Sequence, residues 1–362
     1  MKKQKNKTSA KSSKTLIKAH FDLNQTNKTI PLRTIYMLQM NLEEAIKELK
    51  RTRAKKVFVQ VPEGLKMSVE KIAEELEKNG FEVIISMDPC FGACDIKTEE
   101  AKRAGCKAIL HLGHTKFLET KGLAVIYAPL KYELENFKNT KEEITRYLLD
   151  KNVKMVSLAT TTQFVHYLKE LKEALKEKGI KAEIGKGKRV ENGQVLGCNY
   201  TSVDTKAKIV VYLGDGYFHP LGIHFGTKKE VIIANPFTGE LRELSAEKDA
   251  FLKRRILLIE QAKEADSYAI LVSTKIGQNK ISEAEKIKKT LERKGKKAII
   301  CTMGFISEEK LLGLSVEAYI NTACPRIGID DYASYKKPMI NYNEVPYLLG
   351  KKYEKYETGL IY

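Results

Sequence analysis

The chain has 362 residues, 43% of them apolar and 30% charged, with 64 lysines and arginines against 46 acids and a formal net charge of +18. That length predicts two or three domains, and no apolar run nears the roughly 18 residues of a bilayer span, which excludes a helical membrane protein. The basic excess suits an RNA- or ribosome-associated setting, but no aromatic-interleaved basic motif occurs, so the excess reads rather as a solvated lysine surface and direct nucleic-acid binding is not required.

Residues 1–36 are polar and read as a basic disordered tail; the first 30 carry eight lysines against Asp22. No charged start leads into an apolar stretch with a small-residue cleavage site, so a cytoplasmic location is expected. From Leu42 the apolar positions Leu42, Ala45, Ile46 and Leu49 recur at helical spacing and predict a first helix. Thereafter valine- and isoleucine-rich strands alternate with amphipathic helices, the pattern of an α/β protein with parallel sheets.

The alternation repeats three times. Strand VFVQVP (57–62), a helix near 66–79, FEVIIS (81–86) and AILHLG (108–113) form the first unit. KMVSLAT (154–160), a helix near 163–178 and IVVYLGDG (209–216) form the second. YAILVST (268–274), a helix near 282–294, KAIICTMG (297–304) and EAYINTAC (317–324) form the third. The predicted domains are 37–152, 153–265 and 266–362, three similar small α/β domains around a pseudo-threefold axis.

Six cysteines in a reducing compartment argue against a disulfide framework. Each repeat has one among small or turn-forming residues: Cys94 in FGACD, Cys198 in LGCNY and Cys324 in TACPR. Were the corresponding loops to converge, three thiolates would hold a cubane iron-sulfur cluster with its fourth iron open; three ordinary cysteines in turns fit the spacing equally. Finger-type zinc is disfavoured, because no Cys/His partner stands at the right spacing. Cys106 and Cys301 fall at or in strands and read as buried small hydrophobes. Cys90, four residues before Cys94, competes for the first ligand position; Lys97 stands where the usual radical S-adenosylmethionine motif needs a third cysteine.

Five segments, PEGLK (62–66), DPCFGACD (88–95), HLGHT (111–115), YLGDGYFHPLG (212–222) and NTACPRIGIDDY (321–332), occur in the order of the archaeal 2-(3-amino-3-carboxypropyl)histidine synthases of diphthamide biosynthesis. Over roughly residues 37–345 the chain resembles that family. The resemblance implies a homodimer with a 4Fe-4S cluster on Cys94, Cys198 and Cys324, Cys94 being preferred to Cys90 as the cysteine of the family's Gly-Ala-Cys segment. It also implies S-adenosylmethionine as cosubstrate, an external electron donor, and translation elongation factor 2 as protein substrate. In the implied reaction an electron cleaves the sulfonium, the 3-amino-3-carboxypropyl fragment adds to C2 of the target imidazole, and methylthioadenosine leaves. The acceptor histidine belongs to the partner, so His111, His114 and His219 read as structural or cosubstrate contacts.

Cosubstrate contacts are expected from Gly214, Asp215 and Gly216 after a strand, though a plain tight turn fits them too. His219, Lys275, Gly277 and Gln278 are further candidates, with Arg326, Asp330 and Asp331 for the methionine carboxylate and amino groups; Arg326 pairing with the neighbouring aspartates is the alternative. A quinolinate synthase-like cluster enzyme and a basic RNA-binding protein with incidental cysteines are the competing functions.

Overall fold

The computed structural model describes Leu16–Ile17 and residues 37–357. The reading of residues 1–36 as a disordered tail lies outside the described residues, apart from Leu16–Ile17. Two compact units are formed, one by Met1–Cys90, Thr98–His114 and Thr120–Glu133, the other by Phe91–Lys97, Thr115–Glu119 and Leu134–Tyr362.

The first unit contains β1 (Leu16–Ile17), β2 (Met37–Met40), α1 (Leu42–Arg51), β3 (Lys56–Gln60), α2 (Val69–Lys78), β4 (Glu82–Ser86), α3 (Thr98–Arg103), β5 (Ala108–Gly113) and β6 (Ala124–Glu133). The predicted first helix forms where expected. Asn41 caps it by accepting from the Glu44 amide at 3.1 Å, and Leu42, Ala45, Ile46 and Leu49 are all buried. The sheet order is β1-β2-β6-β5-β3-β4, with β3 to β6 parallel and β1 and β2 added antiparallel. Val57, Val59, Leu110 and Ile126 join Leu49, Ile72 and Leu76 in one core.

The second unit contains α4 (Phe137–Asp150), β7 (Met155–Thr160), α5 (Leu168–Glu177), β8 (Lys181–Glu183), β9 (Ile209–Leu213), α6 (Phe218–Thr227), β10 (Glu230–Ala234), β11 (Leu241–Glu243) and α7 (Ser245–Lys263). It continues through β12 (Ser267–Ser273), α8 (Ile281–Arg293), β13 (Lys297–Met303), α9 (Glu308–Leu311), β14 (Ala318–Asn321), α10 (Pro325–Ile329), β15 (Met339–Asn341) and α11 (Val345–Leu348). Two sheets result, β11-β10-β9-β7-β8 and β13-β12-β14-β15. Apart from the antiparallel β11, both are parallel. Their strands are near-continuous apolar runs, as parallel strands covered on both faces require, and Val210, Tyr212, Ile270 and Ile320 share one core with Phe251 and Ile259 of α7.

Each sheet has the same four-strand parallel core. Reading across, the orders β6-β5-β3-β4, β10-β9-β7-β8 and β15-β14-β12-β13 are each fourth, third, first, second in chain order. The threefold repeat of the sequence is therefore a repeat of topology. In every copy the order reverses between the first and third strands, where open α/β sheets collect ligands at the strands' carboxyl ends.

Candidate functional site: three thiols in the second unit

Cys94 lies in the loop between β4 and α3, in the Phe91–Lys97 segment that belongs to the second unit. Its backbone carbonyl accepts from the Gly277 amide at 2.8 Å, and its Sγ takes a hydrogen bond from Gln278 Nε2 at 3.2 Å. Position 277 must be glycine for this approach, because a Cβ there would stand 2.7 Å from Cys94 Cα. Lys275 pairs with Asp95 at 2.8 Å, both side chains largely buried, and its ammonium lies 5.3 Å from the Phe91 ring centre. The turn after β12 is thus built against the Cys94 loop.

Cys198 occupies a two-residue turn in the connection between β8 and β9. Leu196 and Asn199 close it by exchanging backbone hydrogen bonds of 2.9 and 3.0 Å, and the Tyr200 hydroxyl donates to the Gly197 carbonyl at 2.8 Å. Cys324 follows β14 and precedes Pro325, the first residue of α10. Asn321 Nδ2 donates to the Cys324 carbonyl and to Asn341 Oδ1, each at 2.8 Å, tying the turn to β14 and β15. Cys94 and Cys198 occupy corresponding connections, between the second and third strands of their sheets; Cys324 comes one connection later, after the third strand.

Cys198 and Cys324 both lie within electrostatic reach of Cys94. Burial pushes the Cys198 thiol far up, and charge on Cys324 and then Cys94 pushes it further, while Lys280 opposes. Burial pushes Cys324 up to about 11, with the Arg326 amide favouring its thiolate and Cys94 disfavouring it. Cys94 is also raised by burial, against the hydrogen bond from Gln278. It is Cys94 that acts on both distant thiols. Three such sulfurs cannot all ionise unless a cationic centre sits among them. An all-sulfur set of three, with no imidazole or carboxylate in it, fits a cubane iron-sulfur cluster better than zinc.

The other candidate residues divide into those near the sulfurs and those further off. Lys275 lowers both Cys94 and Cys324, and Arg326 lowers Cys324, so these and Gln278 belong to the thiol site. Arg326 Nε pairs with Asp330 Oδ2 at 2.7 Å, the structural pairing left open by the sequence, and its guanidinium covers the Phe218 ring at 4.7 Å. His219 is driven down to about 4 by burial and secondarily by Arg326; its Nδ1 lies 3.4 Å from the Tyr212 hydroxyl. Gly214 packs on the Tyr212 ring, which a Cβ would meet at 2.7 Å, Asp215 is exposed, and Gly216 adopts φ +73°. The turn brings Asp215 into electrostatic reach of Tyr212.

Sequence reasoning missed Asp95, Lys280 and Asn321, whereas Gly277, expected beside Lys275 and Gln278, does lie against Cys94. Asp95 is recognisable as a site residue only once the turn after β12 is seen against the Cys94 loop. In the first unit Cys90 is buried beside His111, whose Nε2 is 4.0 Å from Cys90 Sγ and 3.0 Å from His114 Nδ1. Burial holds His111 down to about 3 and His114 to about 4. Cys106 is buried, as expected for a small hydrophobe, and Cys301 is half-buried in β13.

The family model of diphthamide synthesis proteins matches residues 61–358. The 2-(3-amino-3-carboxypropyl)histidine synthase of Pyrococcus horikoshii is 37% identical over 320 residues, which cover 88% of this chain and 92% of the relative. Subunit 1 of the Caenorhabditis elegans enzyme is 30% identical over 82% of this chain and 76% of its own. The crystal structure of Dph2 from Pyrococcus horikoshii with a 4Fe-4S cluster superposes with a TM-score of 0.83 at 36% identity, covering 89% of this chain and 94% of that one. With sequence and structure matched over most of its length, the chain belongs to the diphthamide synthesis protein family.

Proposed function

We propose that this enzyme transfers the 3-amino-3-carboxypropyl group of S-adenosylmethionine to imidazole C2 of a histidine in translation elongation factor 2, using a 4Fe-4S cluster held by Cys94, Cys198 and Cys324. The observation that carries the assignment is the match, over most of the chain, to a Dph2 structure with a 4Fe-4S cluster, supported by Cys94 lying within electrostatic reach of both Cys198 and Cys324. A transferase role in diphthamide synthesis is common to the relatives. When bound, the cluster supplies one-electron reduction of a sulfonium through its iron not held by cysteine.

The residues of the chain do the rest. Gln278 orients Cys94 Sγ, and Gly277 lets the two loops close. Lys275, fixed by Asp95, and Arg326 place positive charge beside the sulfurs, suited to the net negative charge of a thiolate-ligated cluster and to the methionine carboxylate. The Gly214–Gly216 turn and His219, neutral at physiological pH, complete the cosubstrate contacts. In the balanced reaction, one electron breaks the bond from sulfur to the aminocarboxypropyl carbon and releases methylthioadenosine, that carbon bonds to C2, and the adduct gives up the C2 hydrogen as a proton and returns one electron as the imidazole regains its aromaticity. The proposal includes a homodimer, an external electron donor and a cytoplasmic location; among the described residues no helix is long and apolar enough to cross a membrane.

The test is anaerobic incubation of the reduced, iron-loaded protein with S-adenosylmethionine and elongation factor 2. Release of methylthioadenosine that depends on the elongation factor is expected. Iron loading that survives Cys198→Ala, or turnover of dihydroxyacetone phosphate in place of S-adenosylmethionine, would overturn the reading.

A further inference from the structure

The first sheet carries a second set of metal-type donors at its own strand-order reversal. His111 on β5 is the register partner of Gln60, the last residue of β3, so the two stand side by side where β3 and β5 part. Cys90 comes from the loop after β4, and His114 follows β5 by one residue. One ligand atom from each of Cys90, His111 and His114 lies within 4.8 Å of the others. Cys90 and His111 are 2% and 0% exposed, while His114 is half-buried.

We propose that Cys90, His111 and His114 bind one divalent ion of the zinc class, with water in the fourth position. A thiolate with two imidazoles is a donor set that zinc favours, and three protein ligands leave a tetrahedral ion one open site. Tetrahedral zinc with bonds near 2.3 Å to sulfur and about 2.0–2.1 Å to nitrogen needs S···N and N···N separations of about 3.5 and 3.3 Å. The separation of 4.0 Å from Cys90 Sγ to His111 Nε2 is somewhat longer than the first value and that of 3.0 Å from His111 Nε2 to His114 Nδ1 somewhat shorter than the second, and all three ligand atoms lie within 4.8 Å of one another, so small side-chain shifts would bring them onto one ion. Binding replaces the hydrogen bond between the two imidazoles and places Nε2 of His111 and Nδ1 of His114 on the metal. Gln60 Nε2, 4.0 Å from Cys90 Sγ, is placed to donate to the bound thiolate. The ion would tie the loop after β4 to the end of β5.

The test uses the full chain with Cys94, Cys198 and Cys324 all changed to serine, so that no other thiol set competes. Stripped of metal and titrated with Co²⁺, it should show a saturable thiolate-to-cobalt charge-transfer band and four-coordinate visible bands at one equivalent. Cys90→Ser in that background should abolish the charge-transfer band, and His114→Ala should weaken binding at least about tenfold, since even outer partners of a metal ligand are worth that much. No saturable Co²⁺ spectrum, or a spectrum unchanged by Cys90→Ser, overturns the site. Should the triple variant fail to fold, zinc retained by the otherwise wild-type chain after gel filtration decides: loss in Cys90→Ala supports the proposal, and equal retention refutes it. Neither readout involves iron or S-adenosylmethionine, so failure here is distinct from failure of the proposed transfer reaction.

Discussion

Gly277 makes the sharpest residue-scale prediction, because its missing side chain is what lets the turn after β12 touch the Cys94 loop. Gly277→Ala forces a Cβ to 2.7 Å from Cys94, an overpacking that costs about 1–3 kcal/mol. It should lower the thermal midpoint and the iron bound per chain together, measured by melting and by iron and sulfide analysis. Gln278→Leu tests orientation separately: it removes the donor to Cys94 Sγ at 3.2 Å without adding bulk to the backbone. Iron should still load, with an altered reduction potential and slower methylthioadenosine release, because hydrogen bonds to cluster sulfurs tune the potential.

At the scale of elements, the third sheet is fastened by a buried ion pair. Arg255 on α7 reaches Glu344, in the segment between β15 and α11, through Nε at 2.8 Å and a second bond from Nη2, and also donates to the carbonyls of Gly328 and Met339. Both side chains are almost wholly buried, and the Tyr356 hydroxyl and the Asn341 amide complete the carboxylate's partners. Removing one partner leaves an uncompensated buried charge, which costs about 3–5 kcal/mol. Arg255→Met should therefore lower the denaturation midpoint strongly, and Arg255→Met with Glu344→Leu should recover part of the loss. Since Asn341 also holds Asn321, which fixes the Cys324 carbonyl, the single variant should lose iron more readily as well.

At the scale of the molecule, buried histidines contribute to the response to acid. His111 has its pKa lowered from 6.5 to about 3 by burial, with His114 adding to the effect. The unfolded chain takes up a proton below pH 6.5 that the folded chain refuses, so this contribution to stability is complete above about 6.5 and declines as pH falls toward 3. Unfolding of the metal-stripped protein at pH 5 should take up about one proton less in His111→Gln than in wild type, measured by calorimetry in buffers of different ionisation enthalpy. Equal uptake would show that His111 is not held neutral in the folded state.

Much of this protein is legible in its sequence. Short valine- and isoleucine-rich runs set between stretches of helical spacing placed β3, β5, β7, β9, β12 and β13 to within a residue or two at their starts, because strands covered on both faces must be apolar throughout. The repeat of those runs announced three sheets of one topology, and five ordered segments pointed to the family. The short strands β8 and β11 and the long α7, which has no clear apolar stripe, escaped because their identity comes from what they pack against. The site divides in the same way. One cysteine per repeat could be read from the chain, but not that Cys94 acts on Cys198 and Cys324, that Lys275 is held by Asp95, or that Arg326 turns to Asp330. Those facts depend on which loops meet, and loop meetings are decided by the packing of whole sheets, a long-range property that no local pattern of residues encodes.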